Sequence, residues 1–399
     1  MRLEGDEAMR DAVIVSIVRT AIARANNGSL RNTRVEHTAA EVVKEAVKRA
    51  SGLKVEEIDD LVMGNSFPEA EAGMNLGRVV ALKAGLSSHV PGITVNRYCA
   101  SGLEAISIAS QKVMCGFADV VMAVGADHTT LVPMGGNKPM PDPDLIASWP
   151  EAYITMGLTA ENVAQRFKIS RQDQDTFAFE SHQKAAKAQA DGRFKEQILP
   201  LKVVDRGFEG GKAVAREKIF DKDECIRPDT SLEALSKLRA IFRAGGTVTA
   251  GNSCPLNDGA AAAVIMSREK AKELKLKPMG VFRSMGVGGV DPEIMGIGPV
   301  VAIPAALARA GIAPGDVGHV ELNEAFAAQA LACLRELDLD PARVNPSGGA
   351  IALGHPLGCT GAKLTATLVH ALRRGGARHG VVSMCVGGGM GAAAVFERA

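Results

Sequence analysis

The feature of the sequence that most constrains the fold is an internal repeat, because the order of strands and helices near the start of the chain returns near its end. Residues 58–67 (IDDLVMGNSF) match 317–326 (VGHVELNEAF), and residues 93–102 (ITVNRYCASG) match 342–349 (ARVNPSGG). The second pair places a Val-Asn dipeptide just before a turn in both copies. A repeated order of elements is stronger evidence for a fold than any single motif, so we predict two copies of one α/β half.

Hydrophobic periodicity places strands and helices within each copy. The apolar run at 12–18 (AVIVSIV) predicts a buried strand, and residues 37–52 carry apolar side chains at helical spacing before a terminal glycine. Because strands alternate with helices, we predict a mostly parallel sheet. The other predicted strands cover 58–64, 93–96, 119–125, 281–289 and 380–388, and the other predicted helices cover 103–113, 170–189 and 305–310.

The middle of the chain departs from the repeat. It opens with a Pro- and Gly-rich stretch at 132–144 (VPMGGNKPMPDPD) and continues into a polar helix that Ser170 and Asp173 begin as a capping box. An insertion at the loop end of such a sheet is expected to cover a substrate. We predict an N-terminal half over 1–128, a loop domain over 129–250 with a return strand and helix to about 279, and a C-terminal half over 280–399.

The composition excludes several classes of partner. Lys and Arg number 46 against 45 Asp and Glu, a net charge of +1, which offers no field to attract nucleic acid or an anionic membrane. No apolar run approaches the roughly 20 residues of a spanning helix, and the first 15 residues lack a signal or transit composition. Seven cysteines without a Cys-x-x-Cys pair favour neither zinc nor a redox pair. We therefore expect a metal-free cytoplasmic protein, with the residues before Met9 as an extension.

Cys99 is the first candidate for chemistry, because it lies in VNRYCASGLEA (95–105), between a predicted strand and the first turn of a helix. The partial positive charge at a helix N-terminus is expected to lower the pKa of a thiol and so to favour the reactive thiolate. The small residues at 100–102 leave room for an acyl group. A buried structural cysteine is the alternative.

His355 is the second candidate, because glycines, alanines and a proline surround it in NPSGGAIALGHPLGCTG (345–361). Such a loop loses much conformational entropy on folding unless close backbone packing requires it. An imidazole there could take the proton of a thiol. A hydrogen-bonded structural histidine is the alternative.

Two further positions lie at predicted strand ends. Cys385 is followed by Val386 and a run of glycines whose N–H groups could stabilise an oxyanion, although a buried strand cysteine is the alternative. Asn323, followed by Glu324, could hold a water or an oxyanion, although a capping asparagine is the alternative.

These segments together resemble the thiolase family. The resemblance rests on the sequences around Cys99, Asn323 (ELNEAFAAQA), His355 and Cys385 (SMCVGGGMGAAAVFE), in this order and over essentially the whole chain. It implies a five-layered αβαβα thiolase fold, built from two duplicated halves plus a loop domain. A fold of this kind is expected to form a homodimer or homotetramer.

The resemblance implies acyl transfer to and from coenzyme A by a ping-pong route, without a permanently bound cofactor. Cys99 would accept the acyl group, His355 would activate it, and Cys385 would move the proton at the α-carbon of the second thioester. One oxyanion would face the N–H groups of Cys99 and Gly387, and the other would face His355 and a water held by Asn323. Thiolytic cleavage and Claisen condensation follow this path in opposite directions.

The resemblance also implies contacts to coenzyme A and an acyl-CoA. Arg227 would lie near the phosphate end, and apolar side chains would line the pantetheine and acyl pocket. Two departures from the family pattern are Cys254 in place of Ser, and Asp127-His128 in place of a Glu-Ser pair. The residues expected to contact coenzyme A are Arg227, Ala250, Cys254, Phe326, Met156 and Met295.

Two alternatives stay open from the sequence. A ketoacyl synthase-like condensing enzyme would pair its cysteine with two histidines, with His and Asn, or with Glu and His, whereas this chain has a second cysteine and one histidine in GHPLG. A catalytically silent, lipid-binding member of the fold would be expected to lose one of the four candidate residues, and all four are present.

Overall fold

The computed structural model describes residues 9–399, so the predicted extension before Met9 lies outside the described residues. The strands are β1 Ala12–Thr20, β2 Ala23–Arg24, β3 Asp60–Gly64, β4 Ile93–Val95, β5 Val120–His128, β6 Ile198–Leu199, β7 Leu201–Glu209, β8 Lys212–Phe220, β9 Asn257–Ser267, β10 Gly280–Gly289, β11 Val317–Leu322, β12 His379–Val386 and β13 Met390–Arg398. The helices are α1 Val35–Arg49, α2 Leu76–Lys83, α3 Ser101–Met114, α4 Pro143–Ser148, α5 Met156–Arg166, α6 Arg171–Ala190, α7 Leu232–Ser236, α8 Arg268–Glu273, α9 Gly298–Ala310, α10 Ala327–Glu336, α11 Ala350–Leu353 and α12 Leu357–Arg373.

The predicted duplication is visible in the order of the strands. The N-terminal half has the order β4-β3-β5-β9-β1, and the C-terminal half has the matching order β11-β12-β13-β10. Val344 forms a parallel bridge to Val320 of β11, where the other half has β4 beside β3. The two halves join where β1 pairs with β10 at Val13 and Val281. Equivalent elements of the sequence repeat therefore occupy equivalent places in the sheet.

Helices cover both faces of each half and produce five layers. An outer layer of α1 and α2 packs on the N-terminal half, and α9 and α10 pack on the C-terminal half. Between the two halves, α3 packs against α12, in which every residue from Leu357 to His370 is buried. Most residues of this buried helix are apolar or small, as a helix enclosed on all sides requires, with polar exceptions such as Lys363. The αβαβα arrangement is thus confirmed, and it places the N-termini of α3 and α12 in its middle layer.

The prediction of a mostly parallel sheet is wrong, because five of the eight neighbouring strand pairs from β11 to β4 are antiparallel. The pairs β3–β4, β3–β5 and β11–β12 are parallel, but β9 and β13 run antiparallel to both of their neighbours. β13 follows β12 after a three-residue turn in which Gly388 and Gly389 have positive φ angles of 80° and 81°. Such a tight turn can only join antiparallel strands.

A buried ion pair between Arg19 and Asp223 connects the N-terminal half to the loop domain. Both guanidinium NH groups of Arg19, in β1, donate to the Asp223 carboxylate at 2.8 and 2.9 Å, and neither side chain is exposed. Arg19 Nε also donates to Gln197 Oε1 at 2.8 Å.

The predicted capping box begins α6, where Ser170 Oγ accepts from Asp173 N at 3.0 Å. Beyond the loop domain, β9 lies between β5 and β1, within the N-terminal sheet.

One apolar segment is longer than the sequence analysis expected. Pro292–Ala310 spans 19 residues with a hydropathy of 1.4, which by length and composition is enough to cross a membrane. In the structure half of it is buried, the backbone is not helical at Ile294, and α9 packs on β10 and β13. The segment therefore consists of a kinked turn followed by α9, a helix that packs on the core.

Candidate active site

Cys99 lies in a short 3₁₀ turn, Tyr98–Ala100, that leads from β4 into α3. Tyr98 has a φ of 42°, a left-handed conformation that is strained for a bulky residue and costs about 1–3 kcal/mol. Three hydrogen bonds hold it there: Tyr98 N donates to Asn96 Oδ1 at 2.7 Å, and Tyr98 O accepts from Ser66 Oγ at 2.8 Å and from Ser101 Oγ at 2.7 Å. The strained turn fixes the direction of the Cys99 side chain.

The backbone N–H groups of Cys99 itself and of Gly387 act on the Cys99 sulfur and favour its thiolate. The turn that carries it contacts both α12 and β12. Burial nevertheless raises the pKa of the Cys99 thiol to about 12, with the two N–H groups opposing the effect. The expected lowering of this pKa is therefore wrong, because the loss of hydration outweighs the helix N-terminus. Cys99 is a neutral thiol at rest and needs a base that takes its proton.

His355 supplies a base in the required protonation state. Thr360 Oγ1 donates to the Pro356 carbonyl at 2.9 Å, so it accepts from His355 Nδ1 at 2.6 Å. The proton therefore lies on Nδ1, and Nε2 presents a lone pair, which accepts from Asn323 Nδ2 at 3.3 Å. This tautomer follows from the hydrogen-bond network.

Burial, and to a smaller extent the charge of Lys363, together lower the pKa of His355 to about 3. Lys363 lies in the middle of α12 and is 1% exposed. Its Nζ donates to the carbonyl of Gly354 at 2.7 Å, immediately before His355. On the other side, His355 N donates to Asn257 Oδ1 at 2.8 Å. The imidazole is thus held in place through its backbone and is uncharged at neutral pH.

Asn323 follows β11 and has no exposed surface. Its N–H donates to the Ser383 carbonyl at 2.9 Å, which fixes the residue to β12. Its Oδ1 is buried and has no hydrogen-bond partner among the described residues. A buried amide oxygen without a partner is unfavourable unless a water or a ligand binds it. The geometry therefore suits a bound water or a substrate group beside His355.

Cys385 lies near the end of β12, 1% exposed. Burial raises its pKa well above the usual value, and the neighbouring thiols Cys99, Cys333 and Cys254 add to the effect. The structure thus brings a second neutral thiol next to Cys99. Gly387, two residues later, provides the N–H group at the Cys99 sulfur.

The residues predicted to contact coenzyme A fall into two groups. Cys254, Phe326, Met156 and Met295 pack in one apolar cluster with Cys385. The ring of Phe326 meets Phe242 edge-on at 6.1 Å. Outside this cluster, Arg227 and Ala250 are exposed, and Arg227 N donates to His182 Nδ1 at 3.1 Å. Nowhere in residues 9–399 do three or more His, Cys, Asp or Glu side chains form a group that could hold a metal ion.

Comparison with known families decides the relationship. The model of the thiolase N-terminal domain matches residues 12–269, and that of the thiolase C-terminal domain matches residues 276–398. The chain belongs to the thiolase family. The alternative of a ketoacyl synthase-like enzyme is therefore set aside.

Named relatives and solved structures agree with this assignment. The chain is 52% identical over 390 residues to the 3-ketoacyl-CoA thiolase of Bacillus subtilis (strain 168), covering 98% of this thiolase and 100% of that protein. It is 45% identical to the human peroxisomal 3-ketoacyl-CoA thiolase, covering 97% and 91%. The crystal structure of the Bacillus anthracis acetyl-CoA acetyltransferase matches with a TM-score of 0.88 at 39% identity, covering 99% of this chain and 100% of that one. Human mitochondrial 3-ketoacyl-CoA thiolase matches with a TM-score of 0.88 at 37% identity, covering 98% and 99%.

Sequence reasoning missed the residues that hold the thiolase site together. Thr360 lies in the segment described above for His355, and Asn257 lies three residues after Cys254. The spacing of neither residue indicates a role in the site. Lys363 carries a usable signal, because it is the one charged residue between Leu357 and Val369 in an otherwise apolar and small helix. A lysine in such a place must find a buried partner.

Proposed function

We propose that this thiolase cleaves 3-ketoacyl-CoA with coenzyme A, and runs the reverse Claisen condensation, through an acyl-Cys99 intermediate. The observation that carries the proposal is that the backbone N–H groups of Cys99 and Gly387 both act on the Cys99 sulfur, so two donors would lie beside an acyl group formed on it. Relatives that are 43–52% identical are named as 3-ketoacyl-CoA thiolases.

The first half-reaction uses Cys99, His355 and Cys385 in turn. The Cys99 thiol gives its proton to His355 Nε2, and its sulfur attacks C3 of the substrate. The N–H groups of Cys99 and Gly387 stabilise the oxyanion at C3. The C2–C3 bond then breaks, the acyl group stays on Cys99, and the released enolate of acetyl-CoA takes a proton at C2 from Cys385. Asn323, through a water, and protonated His355 stabilise that enolate oxygen.

The second half-reaction restores every proton. The thiol of coenzyme A gives its proton to the Cys385 thiolate and attacks the acyl carbon on Cys99. The carbon–sulfur bond to Cys99 breaks, and the departing sulfur takes back its proton from His355. Acyl-CoA leaves, and both cysteines are again neutral thiols, as their raised pKa values favour. The cycle needs no metal and no permanently bound cofactor.

The apolar cluster around Cys385 would receive the acyl chain and the pantetheine arm. Soft methionine side chains adapt to tails of different length, and Met156 and Met295 belong to this cluster. Arg227, which is exposed, would meet the phosphates of coenzyme A. Cys254, where a serine is the family pattern, offers only a weak hydrogen bond to the pantetheine.

The assembly and the compartment complete the proposal. β4 is the edge strand of the N-terminal half, and Met74, Val79, Leu82 and Ile93 on or near it are exposed. An apolar edge of this kind favours pairing with a second copy, in agreement with a homodimer or a homotetramer. All seven cysteines are free thiols within residues 9–399, in agreement with a reducing, cytoplasmic setting.

The test is the loss of the absorbance of a 3-ketoacyl-CoA enolate when coenzyme A is added. The wild type and Cys115→Ala, which removes an exposed thiol, should consume the substrate, whereas Cys99→Ala should not. Cys385→Ala should still become acylated at Cys99 yet turn over poorly. A folded wild-type protein that consumes no 3-ketoacyl-CoA would favour the catalytically silent alternative.

A further inference from the structure

The carboxylate of Asp127 lies between the two segments that carry the nucleophile and the base. Asp127 is the penultimate residue of β5, immediately before His128, and is 4% exposed. Its Oδ1 accepts from Asn65 Nδ2 at 2.6 Å, and both oxygens lie 3.3 Å from Ser66 N. Its Oδ2 also accepts from the N–H of Gly358. The donors come from the segment after β3 and from the first turn of α12, so one carboxylate connects elements of the two halves.

On the nucleophile side, the connection runs through residues 65 and 66. Ser66 Oγ donates to the carbonyl of Tyr98, the residue before Cys99, at 2.8 Å. Asn96 Nδ2 donates to the carbonyl of Ser66 at 2.9 Å. The strained turn that carries Cys99 is therefore fastened to the segment that Asp127 holds.

On the base side, the connection runs through Gly358, three residues after His355. A Cβ atom on Gly358 would collide with the Asp127 carboxylate and with the backbone at Asn65 and Ser66. The position requires glycine so that the chain can approach closely. A carboxylate at the N-terminus of α12 also stabilises that end of the helix.

We propose that Asp127 is a positioning residue of the thiolase reaction, setting the place of Cys99 relative to His355 through Ser66 on one side and Gly358 on the other. This inference rests on the proposed function. The negative charge of Asp127 also acts on the Cys99 thiol and raises the pKa of Cys99. The carboxylate itself is surrounded by N–H donors, with Asp258 of β9 and Cys359 of α12 as its charged or titratable neighbours besides Cys99.

The test compares Asp127→Asn with Asp258→Asn. Asp258 is a second fully buried carboxylate, but its side chain accepts from the N–H and the hydroxyl of Thr130. In Asp127→Asn we expect kcat to fall roughly ten- to hundredfold, the scale of a misplacement of about 1 Å. The KM for coenzyme A should change little, and Asp258→Asn should retain most of the wild-type kcat.

A second readout separates positioning from simple support of the fold. The rate at which iodoacetamide alkylates Cys99 at one fixed pH rises with the fraction of its thiol that is ionised. Removing the Asp127 charge should raise this rate several-fold, while Asp258→Asn leaves it unchanged. The alkylation arm does not need turnover, so it stays informative even where the proposed function fails.

The proposal is overturned if Asp127→Asn keeps the wild-type kcat. It is also overturned if both variants lose activity alike and neither changes the alkylation rate of Cys99, because Asp127 would then serve the fold alone. Should Asp127→Asn not fold, Ser66→Ala keeps the carboxylate and removes the bond to the Tyr98 carbonyl. A several-fold fall in kcat supports the proposal, and an unchanged kcat contradicts it.

Discussion

The neutral state of His355 has a measurable consequence for stability. In an unfolded chain a histidine binds a proton below about pH 6.5, whereas His355 in the folded protein binds one only near a pKa of about 3. The unfolded state therefore holds more protons between these values, and folding stability falls as the pH falls through this window. Each pH unit in the window corresponds to about 1.4 kcal/mol, so His355 alone removes about 2 kcal/mol by about pH 5.

His355→Gln removes this term, because glutamine does not titrate. Urea unfolding at about pH 7.5 and about pH 5 should show a wild-type loss that exceeds the loss in His355→Gln by about 2 kcal/mol. His182 and His370, whose pKa values burial lowers to about 4, contribute equally to both proteins, so the difference isolates His355. Cys115→Ala, a change at an exposed thiol outside the site, should lose as much as the wild type.

The reasoning is refuted if His355→Gln and the wild type lose the same free energy of unfolding between the two pH values. His355 would then be charged or exposed in the folded protein, and it could not serve as the neutral base that Cys99 requires.

Three more predictions follow from the site. Asn323→Asp removes the donor beside His355 Nε2, so kcat should fall roughly 10²- to 10³-fold in a folded protein; a fall of less than about tenfold would contradict the oxyanion role. Lys363→Met removes a charge that lowers the pKa of His355, so the acid limb of the pH profile of kcat/KM should move to higher pH. An acid limb at the wild-type pH would count against this electrostatic role of Lys363. EDTA should leave the rate unchanged, and strong inhibition would reveal a metal site.

Local sequence patterns predicted the parts of the site that depend on neighbours along the chain. Cys99 does lie between a strand and a helix, and Asn323 and Cys385 do lie at or near strand ends, because hydrophobic periodicity and turn residues determine these places. The same periodicity and turn residues recur in both halves of the sequence, and they revealed the duplication. The structure joins Asn323 to His355 by a hydrogen bond and brings Cys385 near Cys99. The family resemblance implied these long-range contacts, whereas periodicity alone did not.

What the sequence did not reveal depends on burial and on long-range contacts. The pKa of Cys99 was expected to fall because of the helix N-terminus, but the desolvation of this half-buried thiol raises it instead. The contacts of Asn257, Thr360 and Lys363 to the His355 loop arise only when β9 and α12 are in place. The antiparallel direction of β9 likewise depends on where the loop domain returns the chain.

The central claim is that Cys99 holds the acyl group after cleavage of the 3-ketoacyl-CoA and before its transfer to coenzyme A. The most direct measurement is to mix the wild-type protein with an acyl-CoA, quench it with acid, digest it and locate the added acyl mass among the seven cysteine-containing positions. The account predicts the acyl group on Cys99, with Cys254 and Cys385 unmodified. An acyl group on either of those two thiols, with Cys99 free, would contradict it.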